Sequence, residues 1–145
     1  MWSLIKWLAM RLAVVRWIFK VLGLVAFLLW KLFKNYRKRK REMAVIAELR
    51  RVRTAWLQHA DSQRLAADLS QFLRRLSRAV APDSVALNGE KWLAFLDRHG
   101  DGFREKGAAL TQAQYRPGVG IDADGLYTLV ERHLYSVLHK EGRHV

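Results

Sequence analysis

The chain of 145 residues contains no cysteine, which excludes disulfides, thiolate zinc sites, iron–sulfur clusters and cysteine nucleophiles. Acidic residues are absent from its first 41 positions, which hold eleven of the 26 lysines and arginines. After position 41 the charge is nearly balanced, with 15 basic and 13 acidic residues. A nucleic-acid-binding domain is expected to carry a basic face on its folded part. The charge distribution therefore argues against nucleic acid as a partner and divides the chain into a cationic, apolar N-terminal segment and a mixed-charge domain.

The N-terminal segment also lacks proline and has a single glycine between Trp2 and Phe33. Apart from Ser3 and five cations, every residue of this range is apolar or glycine, which predicts a membrane anchor helix over residues 1–33. The longest run without charge is Val21–Trp30, only ten residues, whereas a helix that spans a bilayer needs about 20. Whether this helix spans the membrane therefore depends on its internal cations.

An energy balance shows how narrow the margin for insertion is. The best window, Leu12–Trp30, contains twelve Leu, Ile, Val or Phe residues. They favour insertion by about 4 to 7 kcal/mol in total. Arg16 and Lys20 oppose it by about 5 to 7 kcal/mol when both lie near the helix centre. Snorkelling of these side chains towards the N-terminal interface lowers that cost, so we expect the helix to span the membrane with little energy to spare.

The cations lie on one side of this helix. At about 100° per residue they fall within an arc of about 80°, with Arg11 on the opposite side. This basic stripe consists of Lys6, Arg16, Lys20 and Lys31. One interpretation is a helix that lies flat in the interface with its lysines towards water. The interpretation we favour is a spanning helix whose stripe faces another membrane protein, because intramembrane charges usually face protein or water.

A dense basic segment follows the apolar run and predicts the orientation. Seven cations lie within residues 31–41, and the juxtamembrane segment over 34–42 carries the candidate headgroup contacts Lys34, Arg37, Lys38, Arg39, Lys40 and Arg41. The positive-inside rule then predicts a single-pass membrane protein with its C-terminal domain in the cytoplasm. A cleaved signal peptide is less favoured, because the stretch Trp30–Lys34 offers no small-residue cleavage site.

Residues 43–145 predict a cytoplasmic all-α domain. The apolar spacing of Val45, Leu49, Val52 and Trp56 continues the first helix to about His59. Asp61 or Ser62 caps a second helix, which ends before Pro82. Asn88 caps a third helix from Glu90 to about Arg98, and a short segment follows from Leu110 to about Gln114. Asp122 or Asp124 caps the last helix. No stretch alternates long enough to predict a strand, so the fold class is all-α.

Candidate chemistry is sparse in this domain. It has no G-x-S-x-G elbow and no P-loop, so we expect no enzyme, no catalytic residue and no small-molecule substrate. The five histidines are His59, His99, His133, His139 and His144. They lack the spacing of a helical zinc site, so we expect them at surface or loop positions and predict no metal or cofactor. The segments Asp97–Phe103 and Gly118–Asp124 resemble calcium loops only faintly, and helix exit or helix capping explains them better.

Trp92 admits two interpretations. A tryptophan on an amphipathic helix is most often a core residue, and a partner-binding anchor is the alternative. Glu90, Trp92 and Tyr115 are the candidate partner contacts of the domain.

Several short motifs together resemble one family. They are Asn35-Tyr36-Arg37, Glu48-Leu49, Gly89–Asp97 with the pattern Gly-Glu-x-Trp-Leu-x-Phe-Leu-Asp, and Tyr115-Arg116-Pro117. The family comprises uncharacterised small membrane proteins encoded beside MoxR-type AAA+ ATPases and von Willebrand factor A proteins in bacteria. The resemblance implies an accessory role in such a system and transfers no catalytic residues. The first thirty residues depart from it, since they lack the Pro-rich stretch with which its members tend to begin.

Two functions follow as expectations. The first is a membrane-anchored, non-enzymatic adaptor whose stripe pairs with membrane partners and whose domain docks a soluble AAA+ or von Willebrand A protein. The second is a peripheral protein that binds anionic lipid surfaces through its basic N-terminal helix, without a dedicated partner.

Overall fold

A computed structural model describes residues 1–99, 101–112 and 120–143. Within these residues the fold is all-helical, as the sequence predicts, and the helices are α1 (Trp2–His59), α2 (Ser62–Val80), α3 (Gly89–Leu96), α4 (Phe103–Lys106), α5 (Ala108–Gln112) and α6 (Ala123–Arg143). Two short 3-10 helices, Pro82–Ala86 and Asp97–His99, complete the described elements. The chain forms two compact units, Met1–Met43 and Ala44–Val145.

The first unit is the N-terminal part of α1. All but one of its residues up to Arg41 are solvent-exposed, and Lys38 is half-buried. Because the segment has no proline and one glycine, nothing in the sequence interrupts its backbone hydrogen bonds.

The second unit has a core built by helices α1, α2, α3 and α6. Leu49 of α1 is buried, and Val45, Val52 and Trp56 pack against the core, which confirms the predicted helical spacing. The apolar face of α2 is buried at Leu65, Leu69, Phe72 and Leu73. The apolar face of α6 is buried at Leu126, Leu129, Val130, Leu134 and Val137. Each apolar stripe therefore faces inwards, as its period predicts.

Helix ends follow the capping residues. The Asp61 carboxylate accepts hydrogen bonds from the backbone N–H groups of Gln63 and Arg64, both at 3.1 Å, and so caps α2. Asp122 caps α6 by accepting from the Gly125 N–H at 3.0 Å. Asn88 occupies the N-cap position of α3, but its side chain makes no capping hydrogen bond, which corrects that prediction.

The segment between α3 and α6 departs most from the predicted elements. α3 ends at Leu96 and not near Arg98, because a 3-10 helix begins at Asp97. Helix α4 was not predicted, and the next helix begins at Ala108 and not at Leu110. The predicted end of this segment near Gln114 lies outside the described residues.

Candidate functional site

The N-terminal part of α1 is the most conspicuous surface of the protein. α1 is long and apolar enough to cross a bilayer: its best 18-residue window has a mean hydropathy of 2.2, and 0% of that window is buried. The large side chains from Met1 to Phe33 are exposed to solvent. The core helix of a globular protein would bury such a window, so this part of α1 does not belong to a core. An exposed apolar surface of this extent marks contact with a membrane or another protein.

The basic stripe differs in its contacts from Arg11, the cation on the opposite side of the helix. Lys6, Arg16, Lys20 and Lys31 are all exposed. Within the described part of the chain, these four side chains have no hydrogen bond, ion pair or ring contact. By contrast, the guanidinium of Arg11, on the opposite side, lies 4.0 Å from the centre of the Trp7 ring. Among the described residues, the four stripe cations thus have no partner, whereas the cation opposite them does.

The basic juxtamembrane segment combines cations with aromatic rings. Lys34 Nζ lies 5.4 Å from the centre of the Trp30 ring, and the Arg37 guanidinium lies 4.5 Å from that of Phe33. Aromatic rings and basic residues at the end of an apolar helix are typical of the membrane–water interface. Five of the six predicted headgroup contacts are exposed, and Lys38 is half-buried.

Trp92 lies in the core of the second unit. Its side chain is 1% exposed, and the Arg74 guanidinium lies 4.3 Å from the centre of its ring. Arg74 also donates to the Leu87 carbonyl at 3.4 Å. The core interpretation of Trp92 is therefore correct, and its assignment as a partner contact is wrong because the ring presents almost no surface.

The other two candidate partner contacts have different outcomes. Glu90 is exposed in the first turn of α3, so its carboxylate is accessible. Tyr115 lies outside the described residues. Neither placement tests a role in binding a partner.

The Asp97 carboxylate serves as a capping group. Its Oδ1 accepts hydrogen bonds from the N–H groups of Gly102, at 2.7 Å, and Phe103, at 3.1 Å. Gly102 has a φ of +88°, which glycine adopts without strain. Asp97 thus orders the entrance to α4, and no group of three acidic or histidine side chains able to hold a metal ion occurs in the described part.

The structure brings together two residues that sequence reasoning kept apart. His133 of α6 is 5% exposed, so its assignment as a surface or loop histidine is wrong. Its Nδ1 lies 2.8 Å from Oδ2 of Asp101, and Phe103 packs edge-on against its ring at 5.0 Å between ring centres. Because a carboxylate can only accept, Nδ1 carries the proton of this hydrogen bond. His59 and His139 are exposed as predicted.

A small cavity of about 180 Å³ lies beside His133. It is lined by Leu76, Ser77, Val80, Ala81, Phe95, Arg98, His133 and Val137.

Comparison with protein families gives one match. Residues 4–136 match the family described as a domain of unknown function, DUF4381. The chain belongs to the DUF4381 family. No curated protein and no solved structure matches the chain.

The DUF4381 match includes the exposed apolar helix, its basic stripe and most of the second unit. Its description assigns no activity, ligand or partner to the family. The resemblance to a family of uncharacterised proteins is thus confirmed at the level of a family without known function. The association with MoxR-type ATPases and von Willebrand A proteins stays a prediction.

Proposed function

We propose that this DUF4381 protein is a single-pass protein of the bacterial inner membrane that acts as a non-enzymatic adaptor. The observation that carries the proposal is the exposed apolar window of α1, followed in the same chain by a separate helical unit with its own core. This apolar part of α1 is exposed and is not part of the core of the second unit. Such a surface is stable in lipid or against another membrane protein. The second unit then remains available in water for a soluble partner.

The orientation of the proposed anchor follows from the distribution of positive charge. Seven cations lie within residues 31–41 at the C-terminal end of the apolar run, whereas Lys6 and Arg11 are the only charged side chains before Leu12. The positive-inside rule assigns the more basic end to the cytoplasm. The second unit is therefore cytoplasmic in this proposal, where a soluble ATPase could reach it.

The proposed partners are a MoxR-type AAA+ ATPase and a von Willebrand A protein. This step rests on the resemblance of the motifs around Asn35, Glu48, Glu90 and Tyr115 to those of proteins encoded beside such genes. The accessible carboxylate of Glu90 supports a docking surface near the start of α3. The non-enzymatic role rests on the absence of a hydrolase elbow and of a P-loop from the sequence.

Co-purification from native membranes tests the adaptor role. The chain would carry a C-terminal tag and be extracted from its own membranes in a mild detergent. We expect an AAA+ ATPase or a von Willebrand A protein at near-stoichiometric yield, and a Glu90→Lys variant to reduce it. A Glu141→Lys variant, which makes the same charge change near the end of α6, serves as the matched control. Recovery of the chain with lipid and no such protein would contradict the proposal.

The basic segment favours a second candidate, a peripheral protein that binds anionic lipid surfaces. Lys34, Arg37, Lys38, Arg39, Lys40 and Arg41 could each contribute about 1 kcal/mol of attraction to an anionic leaflet. Such attachment weakens as ionic strength rises, because salt screens exposed charges. Release of the chain from membranes by high salt would support this candidate, whereas a spanning helix would stay in the membrane.

A further inference from the structure

The unpartnered charges of the basic stripe identify the kind of partner that α1 meets in the membrane. Arg11, Lys34 and Arg37 each lie over an aromatic ring of the same helix. Within the described residues, the stripe cations Lys6, Arg16, Lys20 and Lys31 have no such contact and no ion pair. Among the described residues, the chain therefore supplies an aromatic partner for the cation opposite the stripe and for two cations of the basic flank, but for none of the stripe cations.

Two of the stripe cations lie near the centre of the proposed span. Trp7 and Trp30, each beside a cation, are separated by 23 residues and mark its two interfaces. That separation corresponds to about 35 Å of α-helix, close to the thickness of a bilayer. Lys20 then lies about 2 Å from the midpoint and Arg16 about 4 Å from it. Both charges would be at the depth where an unpaired ion is least tolerated.

A second copy of this chain cannot neutralise them. Residues 1–41 contain no aspartate or glutamate, so two copies packed through the stripe would bring only positive charges together. Lipid headgroups lie at the interfaces, about 15 Å from the midplane. Within the bilayer, an acidic side chain of a different membrane protein can supply the complementary charge.

The stripe side also allows a neighbouring helix to approach closely. Ala9 and Ala13 lie four residues apart within the same arc as the cations, at about 100° per residue. Small residues at this spacing permit close packing of transmembrane helices. A helix packed against the two alanines would also contact Arg16 and Lys20, which follow them along the same side of α1.

We infer that the stripe of α1 binds a transmembrane helix of another protein that carries an aspartate or glutamate near the bilayer midplane. This inference rests on the proposed membrane anchoring and names the partner of that anchor by its chemistry. An ion pair in hydrocarbon is strong and little screened by salt, because neither water nor ions compete for it there. The pair both neutralises Arg16 and Lys20 and fixes the depth and rotation of α1 against its partner.

Reconstitution of the full chain with synthetic helices tests the inference. The chain would be labelled at one site through a Ser3→Cys variant, which is selective because the sequence contains no other cysteine. It would be placed in vesicles of zwitterionic phosphatidylcholine with a leucine-rich transmembrane peptide that carries one central glutamate. Two matched peptides would carry glutamine or leucine at that position. Energy transfer between labels on the chain and the peptide, measured against peptide density, reports association.

The chain should associate with the glutamate peptide at least tenfold more tightly than with the leucine peptide. The double variant Arg16→Leu, Lys20→Leu should lose this preference. An Arg11→Leu variant should keep it, because Arg11 lies on the opposite side and contacts Trp7. Disulfide cross-linking to a cysteine in the peptide should succeed from an Ala13→Cys variant and fail from Val15→Cys.

Three results would overturn the inference. They are equal binding of the three peptides, equal effects of the Arg11 and Arg16/Lys20 variants, and efficient cross-linking between two copies through the Ala13→Cys position. Insertion would be checked separately in the same vesicles by alkaline extraction. Failure to insert would remove the proposed anchoring itself, whereas a chain that inserts without preferring glutamate would refute only the acidic partner.

Discussion

Asp101 and His133 are 32 residues apart in the sequence, and their side chains meet in the interior at 2.8 Å. The side chain of Asp101 is 8% exposed and that of His133 is 6% exposed, so little water competes for the contact. Asp101 belongs to the segment that leads into α4, and His133 lies in the middle of α6. The pair therefore ties the irregular part of the second unit to its last helix.

Removal of the carboxylate should destabilise this unit substantially. We expect Asp101→Ala to cost about 3 kcal/mol, because the buried imidazole N–H would be left without its acceptor. Asp101→Asn should cost less, since an amide oxygen can still accept from Nδ1. Thermal unfolding of the full chain in mild detergent, followed by near-ultraviolet circular dichroism, measures both changes.

An exposed aspartate provides the control for that experiment. Asp124 lies in the first turn of α6 and is exposed, so Asp124→Ala should cost less than about 1 kcal/mol through the helix dipole. Equal losses for Asp101→Ala and Asp124→Ala would contradict a specific role of the buried pair.

Ala60, between α1 and α2, has a left-handed backbone. Its φ is +51°, and its N–H donates to the Trp56 carbonyl at 2.7 Å at the end of α1. Alanine pays a steric cost in this region that glycine avoids. We therefore expect Ala60→Gly to raise the free energy of unfolding by about 0.5 to 1 kcal/mol, measured by denaturant unfolding of the full chain.

The matched control places the same substitution inside a helix. Ala47 is an exposed residue of α1, and Ala47→Gly should lower stability by about 1 kcal/mol. Both variants gain the same freedom in the unfolded chain, so their difference reports the native backbone at each position. Destabilisation by both would show that Ala60 is not strained.

We expect the buried phenol of Tyr127 in α6 to make the folded protein less stable at alkaline pH. Burial of its phenol, helped by the negative charge of Glu131, raises its pKa above the ordinary value of 10.0, although Arg53 acts in the opposite direction. The folded state thus holds this proton to a higher pH than the unfolded state does. The contribution of the protonated Tyr127 phenol to stability is complete below about pH 10 and is lost as the pH rises through the folded-state pKa.

A Tyr127→Phe variant should lose less stability than the wild type between about pH 9 and 12. Unfolding free energies across this pH range measure the effect, and parallel curves for the wild type and Tyr127→Phe would refute it.

The long regular helices could be predicted because their apolar residues repeat with the helical period and their first turns carry capping aspartates. Leu65, Leu69 and Leu73 of α2 illustrate this, with Asp61 as the cap. The entry to α4 could not be predicted, because Gly102 breaks the apolar pattern and the helix has only four residues. Its order depends on the Asp97 cap, which acts across five positions of the chain.

The contact between Asp101 and His133 left no signal in the sequence. The two residues are 32 positions apart in different elements, and Phe103, close to Asp101 in the chain, packs against His133 of α6. Trp92 admitted two interpretations for a related reason: a periodic pattern shows that a face is apolar but not whether the domain or a partner covers it. The long apolar helix was easier to predict, because its length and composition are those of a helix that can cross a membrane.

The sides of the membrane on which Ser3 and the second unit lie are the decisive test of the proposed topology. A membrane-impermeant maleimide would be applied to intact spheroplasts that express a Ser3→Cys or a Gln71→Cys variant, and membranes would be washed with alkaline carbonate. If α1 spans the membrane with the second unit in the cytoplasm, the chain stays in the carbonate pellet, the Ser3→Cys variant is labelled from outside, and the Gln71→Cys variant is labelled only after lysis. Release into the supernatant, or labelling of both variants from the same side, would contradict a single-pass anchor with a cytoplasmic domain.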